Sequence, residues 1–231
     1  MTTKRKSEYL FENDILQYES LTDEVNDKDL KELDSVAKKV KLKKKIDDLI
    51  CGEIVNESEN QAALHSNYRS NHTSNKDLNY LDEAEIKVKK FFETICTFCE
   101  GKDFNSINII NLGIGGSFEG PKLLLESFND PIVAENFSKP IKVNFDFITG
   151  SDPSEFEYKT NFLESENTFF IVSSKSFTTD ETIINLKKAF EWSGDKRKFI
   201  AITANANEAD KYGIKNIVTF DKEVGGRYSI W

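Results

Sequence analysis

The chain is poor in the residues that build metal centres and cross-links, with 2 histidines and 3 cysteines among 231 residues. An odd cysteine number does not make a disulfide framework. Cys96-Thr-Phe-Cys99 has redox or zinc spacing, but no second pair accompanies it and it falls at the end of a helix pattern, so core packing is expected there. His65 and His72 are too few and too poorly spaced to form a metal site. No uninterrupted apolar run reaches membrane-spanning length, and the leading Met-Thr-Thr-Lys-Arg-Lys-Ser-Glu lacks an apolar signal core, so a cytoplasmic chain is expected. Positive charge is also short. With 31 basic against 40 acidic residues the net charge is -9, which argues against general nucleic-acid or anionic-membrane binding. The basic run Lys38-Lys-Val-Lys-Leu-Lys-Lys-Lys45 is broken by apolar residues and followed by Asp47 and Asp48; it reads as a solvated helix face.

The apolar share of 38%, including 18 Phe, supports a packed core in one large domain or one domain with an appendage. Up to about residue 50 the chain is dense in Lys, Asp and Glu, lacks Gly and Pro, and carries Leu30, Leu33, Leu42 and Leu49 at helix-like intervals, which predicts two helices. A further helix is predicted from Asn79 to about Cys99. Beyond it the pattern alternates. Apolar runs at Ile107–Leu112, Val143–Ile148, Thr168–Ser173, Phe199–Thr203 and Asn216–Phe220 predict five strands. Between them, helices are expected at Pro121–Phe128, Pro153–Leu163, Thr179–Trp192 and Ala206–Tyr212. Asp152 is read as an N-cap before Pro153, with Glu155 at the third position, and Thr178 as an N-cap with Glu181 at the third. Runs apolar on both faces, alternating with helices, predict an α/β fold: a five-stranded parallel sheet covered by helices on both faces. Residues 1–100 are assigned to a helical N-terminal region and 101–231 to the α/β domain.

Such a sheet most often has strand order 2-1-3-4-5, with ligands bound beyond the carboxyl ends of strands 1 and 3. Strand 1 runs into Gly113-Ile-Gly-Gly-Ser117, where glycines permit close backbone approach and Ser117 offers a hydroxyl near a helix start. A dinucleotide fingerprint would need glycine at Phe118, and a Walker loop would need Gly-Lys-Ser/Thr where the chain reads Gly120-Pro121-Lys122. Strand 3 runs into Ser173-Ser-Lys-Ser-Phe-Thr-Thr179, a stretch with five hydroxyls and one ammonium ahead of a helix. Two anion-binding loops are therefore expected to be neighbours, with Lys175 contributing either charge or backbone contacts only. Near the end, Gly225-Gly226 precede Arg227, a permanent planar cation suited to a phosphate or a developing oxyanion. The apolar Ile230-Trp231 ending directly after this loop suggests a C-terminal truncation.

With these motifs in hand, the chain resembles the N-terminal portion of the glucose-6-phosphate isomerase (phosphoglucose isomerase) family. The resemblance rests on Asn111-Leu-Gly-Ile-Gly-Gly-Ser117 with Gly120-Pro121, on Ser174-Lys-Ser-Phe-Thr-Thr-Asp-Glu-Thr182 followed by Asn185, on Val224-Gly-Gly-Arg-Tyr-Ser229, and on Asn56-Glu-Ser-Glu59 running into Ala62-Ala-Leu-His65 and Arg69. It spans roughly residues 50 to 231 and implies the first of two sugar-isomerase (SIS) domains. It further implies that Gly116 and Ser117 touch a sugar phosphate, that Ser174, Lys175, Ser176, Phe177, Thr178 and Thr179 cradle its phosphoryl group, and that Arg227 steadies an enediolate. The implied reaction interconverts glucose 6-phosphate and fructose 6-phosphate in glycolysis and gluconeogenesis, without metal or cofactor, in a homodimer. Ser176 replaces the family's usual threonine and preserves the hydroxyl, whereas Gln61 stands in place of an arginine. The family's catalytic glutamate, ring-opening histidine and C-terminal lysine all come from sequence beyond position 231, and His65 is not used for chemistry there. A non-catalytic sugar-phosphate-binding SIS module is the competing expectation.

Overall fold

The computed structural model describes residues 9–12, 17–20, 26–65, 80–127, 133–134 and 141–224. The chain divides into two compact units, Met1–Leu49 and Ile50–Trp231. In the first, strands β1 (Tyr9–Glu12) and β2 (Gln17–Ser20) pair antiparallel, Tyr9 opposite Ser20, ahead of helices α1 (Asp27–Lys39) and α2 (Leu42–Cys51). The charge-rich composition predicts the two helices; the four-residue strands are too short to leave a period in it. Asn26 begins α1 with a reciprocal cap, its Oδ1 accepting from the amides of Lys28 and Asp29 at 2.9 and 3.3 Å while Asp29 accepts from the Asn26 amide at 3.0 Å. The basic run is exposed, with Lys38 and Lys44 paired to Asp34 and Asp48 one turn away.

The second unit is built on β3 (Ser106–Leu112), β4 (Val133–Ala134), β5 (Ile141–Ile148), β6 (Thr168–Ser173), β7 (Phe199–Thr203) and β8 (Asn216–Thr219), in the spatial order β4-β5-β3-β6-β7-β8. All five long strands are parallel, and their order is the expected 2-1-3-4-5. The two-residue β4 adds an antiparallel edge that its length hides in the sequence.

Alternation along each strand supplies two cores. Phe169 of β6 and Ile200 of β7 face helix α3 (Tyr80–Cys99) through Phe91, Ile95 and Cys99. The neighbouring residues Phe170, Val172, Phe199 and Ala201 face α5 (Pro153–Thr160), α6 (Asp180–Ser193) and α7 (Ala206–Lys211). Phe170 and Phe199 stack at 4.8 Å between adjacent strands, a pair that adds to the area each buries. The cysteines are free, and Cys99 is buried in the first of these cores. α3 belongs with the sheet unit because its apolar stripe is what covers that face.

Helix α4 (Gly116–Ser127) starts five residues earlier than the proline at 121 suggests. A proline inside a helix leaves the carbonyl four residues back without its donor. Here that carbonyl belongs to Ser117, and the Asn111 side chain donates to it at 3.0 Å, so the helix runs through Pro121 without an orphaned acceptor. α5 is capped by Asp152, which accepts from Ser154 at 2.9 Å. Glu155 does not close a capping box. Its carboxylate instead accepts from the amides of Thr149 and Gly150 at 3.1 and 2.6 Å, fixing the turn after β5.

Candidate functional site

The carboxyl ends of β3 and β6 lie side by side, Leu112 opposite Val172, so the two loops leave the sheet together. Between them and the start of β7–α7 opens a cleft of about 760 Å³. Gly116 and Ser117 line it from one side and Ser174, Lys175, Ser176 and Thr179 from the other. Two members of the expected cradle point elsewhere. Phe177 is fully buried in the core against Tyr212, with ring centroids 5.9 Å apart, and the exposed Thr178 donates its hydroxyl to Ser176 at 2.9 Å. Arg227 lies outside the described residues, as do His72, Arg69 and the stretch from Gly225 onward.

Asn111 joins the two loops. Buried at the end of β3, its Oδ1 accepts from the Ser173 hydroxyl at 2.7 Å while its Nδ2 holds the Ser117 carbonyl. One amide side chain thereby sets the spacing between the glycine turn and the hydroxyl loop. Gly113 is required by that closeness. A Cβ there would stand 2.9 Å from the Ser173 carbonyl oxygen and 2.9 Å from the Ser117 Cβ. Gly115 takes φ +53, the left-handed turn that launches α4.

The loop after β6 is tied from behind and unsatisfied in front. Its Lys175 carbonyl accepts from the Ala204 amide and the Thr203 hydroxyl, both at 3.1 Å, and Asn205 donates to the Ser176 carbonyl at 3.2 Å. Phe177 holds φ +56, a conformation costing a non-glycine residue about 1–2 kcal/mol. Its burial and the bond from its amide to Ser174 Oγ at 3.2 Å maintain it. The cap of α6 is Thr179, one residue later than expected. No side chain caps it, because the Thr179 hydroxyl pairs with that of Ser174 at 3.3 Å. α1, α5 and α7 each have a side-chain acceptor on their first amides. In α6 the corresponding amides have no side-chain cap, and Thr179 and Thr182 at this helix end line the cleft while the acidic Asp180 and Glu181 between them do not, so the helix N-terminus is open to an anion on the cleft side.

Positive charge arrives from Lys175 and Lys222, both lining the cleft. The Lys175 ammonium donates to Gln61 Oε1 at 3.2 Å and stands 3.8 Å from the Glu59 carboxylate. These partners come from a tight turn closed by the mutual bridge of Asn56 and Gln61, and seated by Ala62 and Leu64 packing on Val224. The Gln61 departure thus supplies a neutral acceptor for Lys175. His65 lies outside the cleft lining, and burial lowers the pKa of its imidazole from the ordinary value. Among the described residues no cluster of three His, Cys, Asp or Glu is arranged to hold a metal ion. Nor, among them, is any helix long and apolar enough to cross a membrane.

The geometry of the cleft leaves its ligand open, and comparison with known sequences narrows it. The phosphoglucose isomerase family profile matches residues 20–231. The chain belongs to the phosphoglucose isomerase family. A glucose-6-phosphate isomerase of Legionella pneumophila is 34% identical over 226 residues, covering 93% of this chain and 44% of the relative. One from Shewanella frigidimarina is 32% identical, covering 90% and 40%. The crystal structure of a glucose-6-phosphate isomerase from Chlamydia trachomatis shares the fold at a TM-score of 0.67 and 21% identity, over 92% of this chain and 42% of that one. The chain therefore spans less than half the length of the relatives it matches. Within the family frame, the residues that sequence reasoning passed over are Asn111, Asn205 and Thr182. Asn111 and Thr182 stand inside the quoted motifs, but only the fold shows that one bridges the loops and the other faces the cleft.

Proposed function

We propose that this chain carries the phosphate-binding half of a glucose-6-phosphate isomerase site. In this reading Ser117, Ser174, Ser176 and Thr179 donate hydroxyl hydrogen bonds to the phosphoryl group, beside the first amides of α6 and the Gly116 backbone. Lys175 contributes charge from the rim. With the phosphate so anchored, the role assigned to Arg227 is to stabilise, through its guanidinium, the enediolate formed as a proton passes between C2 and C1 of the open-chain sugar. The base for that transfer is contributed from outside residues 1–231, and no metal or cofactor takes part. The working assembly is a cytoplasmic homodimer. The observation that carries the reading is the meeting of the Ser117 turn and the Ser174–Thr179 loop in one cleft ahead of an uncapped helix. Family membership makes the isomerase favoured over a binding-only module.

The test is conversion of fructose 6-phosphate by the full-length gene product, with Arg227→Ala beside it. Loss of a transition-state donor of this kind lowers kcat by roughly a hundredfold or more while KM moves little. A full-length protein that binds fructose 6-phosphate and never isomerises it would establish the binding module instead.

A further inference from the structure

Thr182 is 2% exposed, lines the cleft, and its hydroxyl has no hydrogen-bond partner among the described residues. Other helical threonines of the chain behave differently. Thr94, Thr97 and Thr160 each donate to the carbonyl one turn back, at 3.0, 3.0 and 2.8 Å. Thr182 is the third residue of α6, so the residue four before it, Thr178, precedes the helix and its carbonyl is not in the helical position. A buried hydroxyl without a partner is costly, and valine would fill the same space without that cost.

Donors surround it. The first amides of α6 have no side-chain cap, and Thr179, Ser174 and the Lys175 ammonium line the same space. An acceptor-rich group satisfies them all at once, and a phosphoryl group presents three oxygens with several lone pairs each. We propose that the Thr182 hydroxyl is a further phosphate-binding group, donating to a phosphoryl oxygen from within the first turn of α6. The proposal deepens the isomerase reading and rests on the same cleft, but it assigns a role to a residue beyond the Ser174–Thr179 loop.

The experiment is calorimetric titration of the full-length protein with inorganic phosphate and with fructose 6-phosphate, comparing wild type, Thr182→Val and Thr182→Ser, with apo melting curves alongside. Valine keeps the β-branched shape and serine keeps the hydroxyl. The expected result is binding of both probes weakened roughly tenfold or more by Thr182→Val, and by no more than roughly threefold by Thr182→Ser, with the apo melting temperature of Thr182→Val unchanged or raised. Equal affinity of wild type and Thr182→Val overturns the proposal. So does a lowered apo melting temperature in Thr182→Val, which would show that the hydroxyl already has a structural partner. If wild type binds inorganic phosphate but not fructose 6-phosphate, the isomerase reading fails while the phosphate arm still decides the role of Thr182; binding of neither probe overturns both.

Discussion

Replacing Gly113 by alanine tests the packing of the two loops more directly than any change to a ligand-facing side chain. The added Cβ meets the Ser173 carbonyl oxygen and the Ser117 Cβ at 2.9 Å and the Ser117 carbonyl oxygen at 3.1 Å. None of these is the free end of a side chain, so no rotamer change relieves the contact. Nor can the backbone drift freely, because Asn111 holds the Ser117 carbonyl at 3.0 Å and the Ser173 hydroxyl at 2.7 Å. Relief requires the β3–α4 turn and the end of β6 to move apart. Overpacking of this kind costs about 1–3 kcal/mol. In a unit of this size each kcal/mol lowers the melting temperature by about 2–4 °C, so a fall of about 4–8 °C is expected for the middle of that range. Fructose 6-phosphate affinity should fall with it, since Ser117 and Ser174 separate. Gly101→Ala is the control: φ is +73 with no atom within 4 Å, so it incurs only the left-handed backbone cost of about 1–2 kcal/mol and leaves binding intact. Melting and binding measured on both variants decide the matter. Gly113→Ala within about 0.5 kcal/mol of wild type and binding normally would refute the close approach of the two loops.

Ser174→Ala should weaken fructose 6-phosphate binding by roughly tenfold or more, through the lost ligand contact and through release of the Phe177 amide from its acceptor, read by titration. Glu155→Ala removes the acceptor of the Thr149 and Gly150 amides and should destabilise the fold by about 1–3 kcal/mol in urea unfolding; an unchanged midpoint would show that this turn is held otherwise. Iodoacetamide at pH 8 should label exposed Cys51 in the folded protein and Cys99 only after unfolding, since burial pushes the thiols of Cys96 and Cys99 up and suppresses thiolate; mass spectrometry of the labelled peptides reads the order. Lys198 is buried, and that burial pulls its pKa down. Between this lowered value and the ordinary one of roughly 10.4 the unfolded chain binds more protons, so wild-type stability should rise with pH relative to Lys198→Met; parallel pH profiles would refute the burial effect.

Strands β6 and β7 were legible to the residue because apolar runs bounded by polar loops leave little choice of register, and the order of the sheet followed from strand–helix alternation. Elements that depend on contacts far along the chain were not legible in the same way. The start of α4 is fixed by Asn111 reaching across to the Ser117 carbonyl, so a proline that reads locally as a helix start is an interior residue. The hairpin of Tyr9–Glu12 and Gln17–Ser20 is shorter than any periodicity can reveal, and the same is true of β4. Of the cradle, the hydroxyl-bearing residues were identifiable from composition beside a helix start, but whether each faces the cleft was not. Phe177 and Thr178 sit in the middle of the motif, yet a left-handed turn at Phe177 sends that side chain into the core and leaves Thr178 on the outer side.

That turn also explains why the loop has its form. A side-chain cap on α6 would satisfy the first amides within the protein, and it is available in principle, since Thr179 occupies the cap position. Its hydroxyl is drawn instead to Ser174, whose Oγ is itself committed to the Phe177 amide. The strained φ of Phe177 makes this chain of bonds possible by bringing an amide three residues on back to Ser174. Strain at one residue thus frees the helix end from its cap, and the buried hydroxyl of Thr182 lies one turn inside the same opening. Three local costs, a left-handed aromatic, an uncapped helix and an orphaned hydroxyl, fall within six residues at the switch point of the sheet. Left-handed non-glycine residues also occur at Lys41 and Asn60, and the buried Asn185 Oδ1 likewise lacks a partner among the described residues, but here strain, an uncapped helix and an orphaned hydroxyl come together around one cleft. Their meeting around one cleft suits the proposed anion site, because a bound phosphoryl group would offset the uncapped amides and the orphaned hydroxyl together.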